Sequence, residues 1–277
     1  MIVRFISATC AIPVILIAVW MGGLVLAISI GTIAGLAILE FYRLLKLRSI
    51  QPPILIGFSW TLSFVFAGYL WPGMVAWIAA VGALALFIWC NVRYLMPAVL
   101  GMTSHTQSTA LKKALINWIY SCAGAYYIGW TMSLLLIIRH EPMGLYWVLT
   151  IIFGTFATDT GAFITGRLIG KTLMAPSISP RKTWEGAAGG TVFGTVISAL
   201  MVLFMPITIS LILAIVLGVL ISSAAQTGDL LESALKRASG VKDSGNIIPG
   251  HGGILDRADS IVLVIVVVYY FSWWILK

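Results

Sequence analysis

Residues 228–259 read GDLLESALKRASGVKDSGNIIPGHGGILDRAD. The stretch holds Asp229, Glu232, Asp243, Asp256 and Asp259, five of the nine acidic residues in the chain. Lys236, Arg237, Lys242, Arg257 and His251 lie among them. On either side the sequence turns oily, and 207–230 and 258–276 each read as an apolar helix long enough to span a bilayer. Polarity this dense between two apolar runs needs a chemical reason. Carboxylates, cations and glycines packed together suit a metal-bound phosphate.

Composition extends that reading to the whole chain. Of 277 residues, 60% are hydrophobic and only 9% charged, and the mean hydropathy is +1.04. A soluble domain carries about 25% charged residues. The fold class is therefore all-α, a polytopic integral membrane protein. The net charge of +8 is no nucleic-acid signal, because the basic residues sit in short loops between apolar runs. Cys10, Cys90 and Cys122 fall in or beside apolar segments and read as small buried hydrophobes. Arg4 before an apolar run imitates a signal peptide, but no small-residue cleavage site follows, so the segment reads as a first span.

About nine spans are expected, at 5–21, 22–41, 54–71, 73–92, 114–138, 143–166, 185–205, 207–230 and 258–276. Gly22-Gly23 leaves open whether Met1–Phe41 is two spans or one long broken helix. Gly31 and Gly35, and Gly186, Gly190 and Gly194, have the spacing that lets helices approach closely. Nine spans place the loops near 42–53, 93–113, 167–184 and 231–257 on the side of the C-terminus. Of the 17 Lys and Arg residues, only Arg4 and Arg139 fall on the other side. The positive-inside rule makes the basic side cytoplasmic and the N-terminus external. Two regions follow: N-terminal helices over 1–140 and a catalytic membrane region over 141–277, with cytoplasmic loops 167–184 and 231–257.

Three clusters carry the chemistry. The first is ATDTGAFITGRLIGK, residues 157–171. Asp159 lies within the sixth span, where a charge costs on the order of 2.5–3.5 kcal/mol, and it shares a face with Gly166. Gly170-Lys171-Thr172 imitates a phosphate loop, but Thr165 stands where that motif needs glycine. The second is SPRKTWEG, residues 179–186, where Thr183 or Ser179 can cap the next helix and Glu185 suits its dipole. Arg181 and Lys182 there suit a phosphate. The third is the opening stretch, in which Asp229, Asp256 and Asp259 all sit at cytoplasmic helix ends. Asp256 and Asp259 are three apart and face the same way. Their mutual repulsion is relieved by a divalent cation, and all-oxygen ligands indicate Mg²⁺ or Mn²⁺ over zinc.

Together these motifs resemble the phosphatidate cytidylyltransferase (CDP-diacylglycerol synthase) family. The signature runs Ser233-x-x-Lys236-Arg237, Lys242-Asp243, Pro249-x-His251-Gly252-Gly253 and Asp256-Arg257-x-Asp259, with SPRKTWEG and DTGAFxxGRxxGK upstream. The resemblance implies CTP and phosphatidate as substrates and CDP-diacylglycerol and pyrophosphate as products. It also implies Mg²⁺ dependence, with Asp229, Asp256 and Asp259 at the metal. One or two divalent ions are expected, with room for a monovalent cation. Lys236, Lys242, Asp243 and His251 join the three aspartates as expected catalytic residues. Asp159, Arg167, Lys171, Ser179, Arg181, Lys182, Arg237, Gly252, Gly253 and Arg257 are expected to bind substrate. The expected location is a bacterial cytoplasmic membrane with the site facing the cytoplasm, and charge-free span edges admit a homodimer. A CTP-dependent lipid kinase would share substrate and metal but attack the γ-phosphorus. A transporter fits less well, because the charges gather at one membrane face and no inverted repeat is visible.

Overall fold

The computed structural model describes residues 13–102, 106–247 and 252–276. A helical stretch at 13–21 ends at Gly22, and eight helices follow: α1 (Gly23–Leu47), α2 (Ile54–Leu70), α3 (Pro72–Val99), α4 (Gln107–His140), α5 (Gly144–Ile169), α6 (Trp184–Phe204), α7 (Leu211–Ala238) and α8 (Leu255–Leu276). All but α2 are long and apolar enough to cross a membrane, and α2 is an apolar helix of 17 residues. In order, the eight match the eight spans expected from residue 22 onward. The remaining expected span, 5–21, lies outside the described residues except for 13–21.

Gly22 and Gly23 both have positive φ, at 64° and 52°, and interrupt the helix there. Arg139 packs against this break. Its guanidinium donates to the Val19 and Trp20 carbonyls at 3.0 and 3.3 Å, so it satisfies carbonyls that the helix end leaves open.

Two expected helix boundaries move, because a sequence window stops at the first charge whereas a helix does not, and one expected loop contains strands. The loop expected over 93–113 narrows, because α3 continues through Arg93 to Val99 and α4 starts at Gln107. Thr106 caps α4, its hydroxyl accepting from the Thr109 N–H at 3.4 Å. The segment 167–184 contains a two-stranded antiparallel hairpin, β1 (Leu173–Ala175) and β2 (Ser179–Thr183), with Leu173 opposite Thr183. Finally, α7 runs on to Ala238, so Glu232, Lys236 and Arg237 are helical instead of looped.

Packing is tightest between α5 and α6, then between α7 and its neighbours α6 and α8. The glycine stripe of α6 explains the first contact. A Cβ at Gly190 would lie 2.8 Å from the Thr158 carbonyl, and one at Gly186 2.9 Å from the Ala162 carbonyl. The larger apolar core joins α1 to α4, α5, α7 and α8 through residues such as Leu44, Ile128, Trp147, Ile221 and Val264. It therefore crosses the 140/141 boundary expected between the two regions. A smaller cluster around Trp60, Phe64 and Leu86 ties α2 and α3 to α4.

Candidate active site

The site lies between the second halves of α5 and α7, the starts of α6 and α8, and the hairpin, and it consists of two cavities with a shared wall. The larger, about 580 Å³, is lined by Arg167, Arg181 and Lys182 along with Phe163, Met174, Gln226 and Leu230. The smaller, about 280 Å³, is lined by Asp243, Asp256, Asp259, Lys236, Arg257 and Ser260. Asp159 and Asp229 line both.

The cationic cavity is shaped by the hairpin and the start of α6. Thr183 caps α6, its hydroxyl accepting from the Gly186 N–H at 3.1 Å. Glu185 in the first turn reaches back and accepts from the Lys171 and Thr172 N–H groups and from the Thr172 hydroxyl, at 2.9–3.2 Å. These bonds fix where the hairpin leaves α5 and so hold Arg181 and Lys182 over the cavity. Arg237, expected to bind substrate, donates to the Ile178 carbonyl at 3.1 Å and to the Val241 carbonyl at 3.2 Å. It ties the hairpin to the end of α7.

In the acidic cavity the carboxylates differ in what they already hold. The Asp256 Oδ1 accepts from Lys236 Nζ at 2.6 Å, and its Oδ2 accepts from the Gly253 and Ser244 N–H groups at 2.7 and 3.0 Å. Lys236 also pairs with Glu232 one turn earlier on α7, a carboxylate fully buried beneath the cavity. Gly252 next door has φ of 84°, and a Cβ there would lie 2.7 Å from Asp256 Oδ2. Asp259 is far less engaged: its Oδ1 accepts from the N–H and hydroxyl of the adjacent Ser260, at 2.7 and 3.4 Å. On the shared wall, Asp229 pairs with Lys182 at 2.8 Å and accepts from the Ser233 hydroxyl at 3.3 Å.

Five carboxylates thus face two cations, Lys236 and Arg257, around the smaller cavity. Oxygen is the only donor type that the acids present, and the surplus negative charge favours a hard divalent cation. Among the described residues, no three acidic, imidazole or thiol groups already stand together as a ready-made ligand set. The fit is therefore one of charge and donor chemistry.

Most expected site residues meet at these two cavities: Asp159, Arg167, Arg181, Lys182, Asp229, Lys236, Asp243, Asp256, Arg257 and Asp259. Lys171, Ser179, Arg237 and Lys242 lie outside their linings. Gly252 and Gly253 lie against the Asp256 carboxylate, and His251 lies outside the described residues. Sequence reasoning missed Gln226, which donates to Thr191 Oγ1 at 3.1 Å across the α6–α7 contact beside the larger cavity. It also missed Glu40 on α1, buried beneath the loop that follows α7.

A model of the Cytidylyltransferase family matches residues 2–275. The chain belongs to that family. It is 34% identical over 272 residues to a phosphatidate cytidylyltransferase of Bacillus subtilis, covering 96% of both chains. A protein of the same name from Staphylococcus saprophyticus is 31% identical, covering 95% of both. One from Brucella suis reaches 39% over 154 residues, about half of each chain. The first two relatives extend the likeness to the N-terminal half, which carries none of the three motif clusters.

Proposed function

We propose that this chain transfers the cytidylyl group of CTP to phosphatidate, giving CDP-diacylglycerol and pyrophosphate. The observation that carries the reading is the pair of cavities with opposite charge meeting at Asp159 and Asp229. The named activity of its full-length relatives supports it.

Two anions must meet in this reaction. The phosphate of phosphatidate is a monoester with a second pKa of about 6, so near neutral pH it is already the nucleophile and needs no general base. Its oxygen attacks the α-phosphorus of CTP, the bond to the bridging oxygen breaks, and pyrophosphate leaves. Arg167 and Arg181 in the larger cavity hold the lipid phosphate by charge-assisted hydrogen bonds. Phe163, Met174 and Leu230 give that cavity an apolar side suited to the glycerol and acyl stem. Lys236 and Arg257 neutralise the triphosphate from the acidic cavity, and Lys182 stands at the junction where charge develops.

Asp229 and Asp259, with Asp159 beside them, would hold the divalent ion; Asp256 keeps Lys236 and the adjoining loop in place. When bound, Mg²⁺ would offset the triphosphate charge and that of the departing pyrophosphate. The basic residues gathered on this side of the chain support a cytoplasmic site, where CTP arrives from water while the acyl chains stay in the bilayer.

Incubation of purified protein with phosphatidate, Mg²⁺ and CTP labelled at either the α- or the γ-phosphorus tests the proposal. Label from the α position in the extracted lipid, with pyrophosphate released, is the expected result. Lipid labelled from the γ position would make the protein a kinase, and unlabelled lipid from folded protein would refute both.

A further inference from the structure

Glu40 is the only acidic residue in the first 140 positions, and it is buried to 4% exposure. An unpaired carboxylate in that position is costly unless its lone pairs are filled. They are filled from one place, 204 to 215 residues further along the chain. Oε2 accepts from the Ser244 hydroxyl and the Leu255 N–H, each at 2.9 Å, and Oε1 accepts from the Ile254 N–H at 3.1 Å. Ile254 and Leu255 open α8, so Glu40 satisfies donors that the helix start exposes. The backbone makes room for it: a Cβ at Gly245 or at Gly253 would collide with the Glu40 carboxylate.

The same two chain segments are gripped from the other side by Asp256. The Ser244 N–H and the Gly253 N–H both donate to its carboxylate, which in turn holds Lys236. Two carboxylates therefore clasp one pair of backbone segments, one from beneath and one from within the acidic cavity. Moving either moves the other.

We infer that Glu40 is a positioning residue for the reaction: it sets the start of α8 and thereby the placement of Asp256 and Lys236 in the acidic cavity. It touches no substrate itself. The inference rests on the cytidylyl-transfer reading, so wild-type protein is assayed first, and absence of α-label transfer would fail that reading before this one is tested. Glu40→Gln keeps the shape and one acceptor but turns a donor toward N–H groups. Its kcat per folded molecule falls about tenfold or more, while KM for phosphatidate stays within about twofold. Glu40→Ala falls further. Combining Glu40→Gln with Asp256→Asn gives a loss smaller than the product of the two separate losses, since both act on one clasp.

Gly253→Ala, which intrudes on Glu40 without changing its charge, reproduces the same split. Where Glu40→Ala does not fold, Ser244→Ala, which removes a single hydroxyl donor, carries the test with a smaller drop in kcat. Folded Glu40→Gln and Ser244→Ala proteins with wild-type kcat would overturn the inference. So would a drop confined to KM for phosphatidate, or losses that multiply independently with Asp256→Asn.

Discussion

The two cavities share a wall yet are assembled differently. Apart from Asp159, the acidic one draws its charged residues, Asp229, Lys236, Asp243, Asp256, Arg257 and Asp259, from a single run of some 30 residues over the end of α7 and the start of α8. The cationic one draws on three separate segments: the end of α5, the hairpin with the start of α6, and the middle of α7. Charge follows construction. In the acidic cavity the lysine is locked onto a carboxylate, and Asp229 and Asp259 keep capacity for another cation. In the larger cavity the cations exceed the carboxylates, which suits a phosphate. A reaction that must join two anions is served by such a division, because each anion meets its own neutralising groups before they approach one another.

Asp229 belongs to both cavities, and removing its charge breaks the division altogether. Asp229→Asn is expected to lower turnover on the order of 10³-fold, at the upper end for loss of one preorganised electrostatic group. Chelation of divalent ions should match that loss, with recovery on adding Mg²⁺, both read as α-label transferred to lipid. Persistence of activity in chelator would remove the ion from the acidic cavity.

A sharper contrast lies between Asp256 and Asp259, three residues apart on α8. Asp259→Asn is expected to cost turnover about 10²-fold and to leave the thermal midpoint nearly unchanged, since its partners are its own neighbour's N–H and hydroxyl. Asp256→Asn is expected to lower both, because it removes the charge facing Lys236; the stability loss is about 1–3 kcal/mol. Equal effects on stability would erase the distinction drawn between them.

On the cationic side, Arg181→Ala is expected to raise KM for phosphatidate about tenfold and to leave KM for CTP nearly constant. A shift in the CTP constant instead would reassign the two cavities. The smallest effect belongs to Ser233→Ala. Its hydroxyl reaches Asp229 at 3.3 Å, and losing one bond of that length should change turnover by less than about threefold. A larger change would mean that Ser233 does more than steady Asp229.

Legibility in the sequence tracked contiguity. Asp229, Asp256 and Asp259 were readable as one cluster because helix periodicity and a short loop bring them together. Asp159 stood out because a charge within an apolar span needs a cause. Lys236 was visible as one cation of the opening stretch, but its bond to Asp256, 20 residues on, was not. Arg237 read as a substrate ligand, and its bonds to the Ile178 and Val241 carbonyls, which tie the hairpin to α7, gave no sign in the local sequence. The hairpin itself was read as a loop: β1 has three residues and β2 five, too short for any alternation to register. Glu40 carried no local signal, because a lone acid near the end of an apolar helix ordinarily faces water.

The amino-acid sequence alone determined that this is a polytopic helical membrane protein, that its basic residues gather in the segments between apolar helices, and that its polar motifs cluster near residues 157–186 and 229–259. These follow from composition, periodicity and local spacing, which need no knowledge of distant contacts. Tertiary structure alone decided that the site is two cavities divided at Asp159 and Asp229, that Asp256 is held while Asp259 is not, and that Glu40 closes under α8. Each of those depends on donors and acceptors far apart in the chain, and only packing of the helices determines which of them meet.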